Sequence, residues 1–207
     1  MFRHIIWDFD GTLFDTYPCM TIALSAALKE RGISAPDGEL YSLLKQTVGI
    51  ALSYYQEKYG LDETLGADFR RIRMSMEADV CLPYPGMREL LSDIVAAGKY
   101  NYISTNRGAT LYPMLERQGM TGLFRGFATA EDGVALKPDP ALNLLLIEKY
   151  SINKSEAVMV GDRELDIISG QRAGIAGLAF VDGSGAPIDC ADLKATCVPE
   201  LRKILLG

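Results

Sequence analysis

Phe2-Arg3-His4-Ile5-Ile6-Trp7-Asp8-Phe9-Asp10-Gly11-Thr12, residues 2–12, is the stretch on which the fold class turns. Its first eight residues are a short apolar run, rich in isoleucine and aromatic side chains, that stops at Asp10-Gly11 as a buried strand stops at a turn. In a strand the side-chain period is two, so Asp8 and Asp10 share one side while Phe9 points into the core. Two carboxylates in one small space repel each other unless a cation lies between them or one is protonated. Asp-Gly is also a common turn dipeptide, so the surrounding chain has to decide between a turn and a site.

Downstream, 18–59 reads as helical: Ile22, Leu24, Ala27 and Leu28 recur at helical spacing, Gly32 is a stop, and further segments cover 40–48 and 50–59. Residues 68–80 continue the pattern, and Leu82-Pro83-Tyr84-Pro85-Gly86 breaks it sharply. From there helix and strand alternate: helices over 86–97, 110–118, 140–150 and 166–173, strands over 100–105, 126–129, 157–160 and 175–180. That alternation predicts an α/β core, a parallel sheet with helices on both faces, formed by 1–16 with 83–207, and an all-helical insertion over 17–82. Gly183-Ser184-Gly185-Ala186-Pro187 reads as a flexible surface loop.

The bulk properties narrow the function. A chain of 207 residues suits one main core plus a small insertion. A net charge of -6 argues against a nucleic-acid or anionic-membrane partner, because both need a basic surface. Cys19, Cys81, Cys190 and Cys197 are scattered, His4 is the sole histidine, and no secretory leader is visible, which predicts reduced thiols in a cytoplasmic protein without thiolate metal chemistry. No apolar stretch approaches the length of a membrane span.

In parallel sheets ligands bind beyond the carboxyl ends of the strands, and polar residues stand there after several apolar runs. Ile103-Ser104-Thr105-Asn106 closes one strand, Val158-Met159-Val160-Gly161-Asp162 another, and Lys137-Pro138 precedes the helix between them. The order Asp8-x-Asp10-Gly11-Thr12, Thr105, Lys137-Pro138, Gly161-Asp162-x-x-x-Asp166 resembles the four motifs of the haloacid dehalogenase superfamily over essentially the whole chain. The resemblance implies a Rossmann-like core with a helical cap and a magnesium-dependent phosphatase.

The residue chemistry agrees with that expectation. Asp8 is ionised at neutral pH and can attack phosphorus without a base, provided its repulsion from an anionic phosphoryl group is cancelled. Mg2+ prefers hard oxygen ligands, which suits Asp8 and Asp162; the family resemblance adds the backbone carbonyl of Asp10. Lys137 brings a fixed positive charge to the phosphoryl group. Asp10 is the natural general acid and base, and Thr105 and Asn106 offer donors to the phosphoryl oxygens. A capping threonine before the next helix is the plainer account of Thr105. Asp166 falls one helical turn past Asp162, to hold metal waters or Lys137, or simply to open a helix.

An acid at position 10 favours phosphoryl transfer over dehalogenation, in which family members lack that acid and need no metal. Neither Lys45 nor Lys58 matches the imine-forming lysine of the phosphonate-cleaving members. The insertion resembles the cap of the phosphoglycolate phosphatase-like branch, which closes over the core site and excludes water. Lys45, Gln46, Thr47 and Gly49 lie near a helix break where that branch carries its specificity loop, and Arg70, Arg71 and Arg73 form a basic cluster that is either a substrate contact or a solvated face. Trp7 and Phe9 read as core, His4 as a strand-edge residue, Met74 and Met76 as packing, and Arg163 as an exposed loop charge ahead of one that orients a loop or meets substrate. The expected substrate is a small phosphate ester such as phosphoglycolate, with pyrophosphate or a nucleoside monophosphate open, acted on by a monomer or homodimer. A sugar-phosphate phosphomutase and a non-catalytic phospho-ligand sensor are the alternatives.

Overall fold

The computed structural model describes residues 1–181 and 188–207, so the 183–187 loop expected from composition lies outside the described residues. In chain order the elements are β1 (His4–Trp7), α1 (Tyr17–Lys29), α2 (Asp37–Gln46), α3 (Val48–Tyr59), α4 (Thr64–Val80), α5 (Met87–Ala96), β2 (Tyr100–Ser104), α6 (Leu111–Arg117), β3 (Phe124–Ala128), α7 (Ala141–Tyr150), β4 (Ala157–Gly161), α8 (Glu164–Ala173), β5 (Ala176–Phe180), β6 (Leu193–Ala195) and α9 (Val198–Leu206). The chain divides into two compact units, Met1–Phe14 with Pro83–Gly207, and Asp15–Leu82.

In the first unit all strand pairs are parallel and the order is β3-β2-β1-β4-β5-β6. The chain moves outward from β1 through β2 to β3, then returns to the other side of β1 with β4. Strand order therefore reverses at β1, where an open parallel sheet leaves a crevice beyond its carboxyl ends. Trp7 is level with Ile103 on one neighbour and Val160 on the other, so the residues after them emerge side by side. β1, β4 and β5 read as near-continuous apolar runs because both faces are covered there. Ile6, Tyr102, Met159, Leu142 and Leu146 form one buried cluster between sheet and helix. Asn101, whose side chain alternates to the other face from Tyr102, is a buried polar tie: its Oδ1 accepts from Trp7 Nε1 at 3.0 Å, and its Nδ2 donates to the carbonyls of Leu91 and Leu123.

The second unit is helical throughout its described elements. Leu24, Leu28, Leu40, Leu44, Tyr55, Leu65 and Phe69 share a buried core contributed by α1 to α4. Thr47 is the break between α2 and α3; its extended backbone ends one helix and its hydroxyl accepts the Ile50 N–H at 3.0 Å, capping the next.

His4 is the first residue of the central strand β1, buried and within 3.1 Å of the Tyr102 hydroxyl. Two other features depart from the sequence reading. Met74 is 53% exposed and packs no core. β6 and α9 extend the architecture past residue 180, where the alternation offered no further element. All four cysteines are free thiols, and among the described residues no helix is long and apolar enough to cross a membrane.

Candidate active site

β1 ends at Trp7, and the Asp8 N–H still bonds to the Val160 carbonyl at 2.8 Å, which holds Asp8 level with the end of β4. The chain then turns: Gly11 adopts φ 79, a left-handed conformation that suits glycine, and its N–H bonds to the Phe14 carbonyl. Phe9 is fully buried and stacks on Phe14 with centroids 4.7 Å apart. That stack anchors the turn from the core side.

Lys137 organises the acids. Its ammonium donates to Asp8 Oδ1 at 2.5 Å, to Asp166 Oδ1 at 2.5 Å and to the Ser104 carbonyl at 2.9 Å, using all its protons. The side chains of Lys137, Asp8 and Asp166 are at most 1% exposed, so the pairing acts in a poorly screened interior. Burial, followed by the neighbouring Asp166 carboxylate, pushes Asp8 up to about 7 against the opposing pull of Lys137. Burial alone lowers Lys137, but Asp166 and Asp8 outweigh it and hold the ammonium above its ordinary value.

Asp162 completes an acidic cluster in which Asp8, Asp162 and Asp166 each present an oxygen within 4.8 Å of the others. Asp8 Oδ2 is buried and takes no hydrogen bond. An orphaned carboxylate oxygen among further hard oxygen donors is a fitting cradle for a divalent cation. Asp166 stands with the acids at the centre and also accepts the Arg163 N–H at 3.2 Å at the start of α8, so its helix-opening and site positions coincide. Gly161 makes this approach possible, because a Cβ at that position would collide with the Asp166 side chain.

Directly after β2, Thr105 is buried, and its hydroxyl accepts the Arg107 N–H at 3.1 Å. α6 starts only at Leu111, so Thr105 is not a helix cap. The Asn106 amide is engaged with the main chain of Lys137, accepting its N–H at 2.8 Å and donating to its carbonyl at 3.0 Å. This reciprocal pair ties the loop carrying Lys137 to the end of β2.

Two cations escaped the sequence reading or were misplaced by it. Arg107, two residues past Thr105, grips Asp10 from Nη2 at 2.6 Å and from Nε at 3.0 and 3.2 Å, with its side chain 2% exposed. A basic residue in the short polar tail after a strand was the available signal. Arg163 is partly buried, 3.8 Å from Asp162 and 4.0 Å from Asp166, and is therefore no exposed loop charge.

In the helical unit, Lys45 sits 4.4 Å from the Tyr17 ring centroid and 5.9 Å from that of Tyr41. Lys58 bonds to Tyr54 and Glu39. Arg71 bridges Glu30 and Asp68 on an exposed face, and Arg73 pairs with Glu77 at 3.2 Å.

The haloacid dehalogenase-like hydrolase family model matches residues 5–180. A phosphoglycolate phosphatase of Vibrio parahaemolyticus is 29% identical, over 97% of this chain and 95% of that protein. One from Pseudomonas savastanoi is 28% identical, over 98% and 78% respectively. A haloacid dehalogenase-like protein of Agrobacterium tumefaciens shares the fold at a TM-score of 0.83 and 20% identity, over 100% of this chain and 98% of that one. With the motif order, the sheet topology and the family match in agreement, the chain belongs to the haloacid dehalogenase-like hydrolases and is a phosphatase, a phosphoric monoester hydrolase.

Proposed function

We propose that this phosphatase hydrolyses a small phosphorylated acid, phosphoglycolate or a close analogue, with Mg2+ and through an aspartyl-phosphate on Asp8. The observation that carries the reading is the Lys137 ammonium buried between Asp8 and Asp166, beside an Asp8 oxygen that no protein group satisfies. Such a pairing holds a carboxylate in one direction and lowers the repulsion it presents to an anionic phosphoryl group. Asp8 and Asp162, with Asp166 and the Asp10 carbonyl around them, would hold the Mg2+, which when bound supplies positive charge against the phosphoryl oxygens.

In the first half-reaction an Asp8 carboxylate oxygen attacks phosphorus, an O–P bond forms, and the ester O–P bond breaks. Asp10 passes a proton to the leaving alkoxide. The Thr105 hydroxyl and the Asn106 N–H bind phosphoryl oxygens, and Lys137 keeps Asp8 aligned. In the second half-reaction Asp10, now a carboxylate, takes a proton from the water that attacks the aspartyl-phosphate. Inorganic phosphate leaves and Asp8 is regenerated.

The choice of a small acid rests on the two phosphoglycolate phosphatases, each matched over more than three quarters of its length. Purified protein is expected to release phosphate from 2-phosphoglycolate only with Mg2+, and Asp8→Asn is expected to abolish release. Acid quench during turnover should trap a phosphorylated chain that Asp8→Asn does not form. Isomerisation of a sugar phosphate that requires a bisphosphate and releases no net phosphate would replace this reading with a mutase. Magnesium binding without turnover of any phosphate ester would leave a sensor.

A further inference from the structure

Asp10 is not held by its own loop alone. Its main chain is pinned by a bridge to Phe14, but its side chain lies at the more open end of the site, 16% exposed against 1% for Asp8. Proton transfer needs the carboxyl group held in one direction. Arg107 supplies a planar grip: Nη2 and Nε both donate to the carboxylate, the geometry in which a guanidinium fixes the plane of its partner as well as its position.

The grip is itself braced. The Arg107 guanidinium carbon lies 5.4 Å from the Phe9 ring centroid, Nη1 donates to the Thr110 hydroxyl at 2.9 Å, and the main-chain N–H is tied to Thr105. Phe9 separates Asp8 from Asp10 in sequence, and Thr105 closes the neighbouring strand. Arg107 therefore measures the direction of Asp10 against the two strand ends that carry the site.

We infer that Arg107 is a positioning residue for proton transfer: it holds the Asp10 carboxyl group aimed at the leaving oxygen of the ester. The inference rests on the phosphatase reading above and adds to it a residue that acts through Asp10. A guanidinium that bound the phosphoryl group directly would serve every ester alike. One that works through the proton donor matters in the first half-reaction, and therefore in kcat/KM, only for esters whose leaving group needs a proton.

The test compares kcat/KM on 2-phosphoglycolate, whose alkoxide needs protonation, with 4-nitrophenyl phosphate, whose phenolate leaves without it. Arg107→Met is expected to lose roughly 10- to 100-fold on 2-phosphoglycolate and less than about 3-fold on 4-nitrophenyl phosphate. Asp10→Asn should show the same contrast, and adding Arg107→Met to Asp10→Asn should cost little more, since the two act as a unit. Inhibition by inorganic phosphate should be unchanged. Arg107→Lys keeps the charge but not the fork, and should lose an intermediate amount on 2-phosphoglycolate alone; it serves as the test if the methionine variant does not fold. Equal losses on both esters, multiplicative losses with Asp10→Asn, or weaker phosphate inhibition would overturn the inference while leaving the phosphatase intact. A folded wild-type protein that turns over neither ester would overturn the phosphatase reading, and this one with it.

Discussion

Lys137 is one ammonium group facing two buried carboxylates, and the imbalance appears on Asp8, pushed up to about 7 by burial and by Asp166. The consequence for metal binding has a definite sign. An acid moved up from 3.8 to about 7 still carries its proton below that pH, while a cation requires the carboxylate. Magnesium titrated calorimetrically near pH 6, in buffers of different ionisation heat, is therefore expected to release close to one proton. Its affinity should rise by up to about tenfold per pH unit towards neutrality and level off above it. Asp8→Asn should abolish that release; an affinity flat across this range in the wild type would show that Asp8 is already ionised without metal. At this scale the identity of the acids, Lys137 and Thr105 was readable in their motif positions. The engagement of Asn106 with the Lys137 main chain was not, because an amide can donate and accept in many directions and only its neighbours select among them.

Among the elements, β4 and α8 set the spacing on which the acids depend. Gly161 ends β4 and Asp166 lies in the first turn of α8, so close that any side chain at 161 meets Asp166. Gly161→Ala is expected to cost about 1–3 kcal/mol in denaturant unfolding. It should also displace Asp166 from Lys137, so phosphatase activity should fall by more than the folded fraction does; unchanged activity would mean that Asp166 tolerates the shift. Most elements were legible because apolar spacing and turn residues signal them within about ten residues. The spacing of Val198, Leu201 and Leu205, with Pro199 in the first turn, carries the same kind of signal for α9. β6 does not: it is three residues long, includes exposed Lys194, and exists as a strand because β5 offers it a free edge.

For the molecule as a whole, each compact unit has its own buried cluster, and damage to one should be readable within it. Leu24→Ala empties a fully buried position in the helical unit and is expected to cost about 2–5 kcal/mol there. Amide hydrogen exchange should accelerate across residues 15–82 while the β1 and β4 amides keep most of their protection; uniform acceleration would show that the two units unfold as one. The alternation of helix and strand, the helical insertion and the order of the motifs all follow from patterns local to the chain, since periodicity and turn chemistry act between near neighbours. Which cation meets which acid does not. Lys137 lies 129 residues from Asp8, and Arg107 lies 97 from Asp10. Those pairings exist because parallel strands distant in the chain end side by side, and because packing in a buried crevice selects one rotamer for each charged side chain.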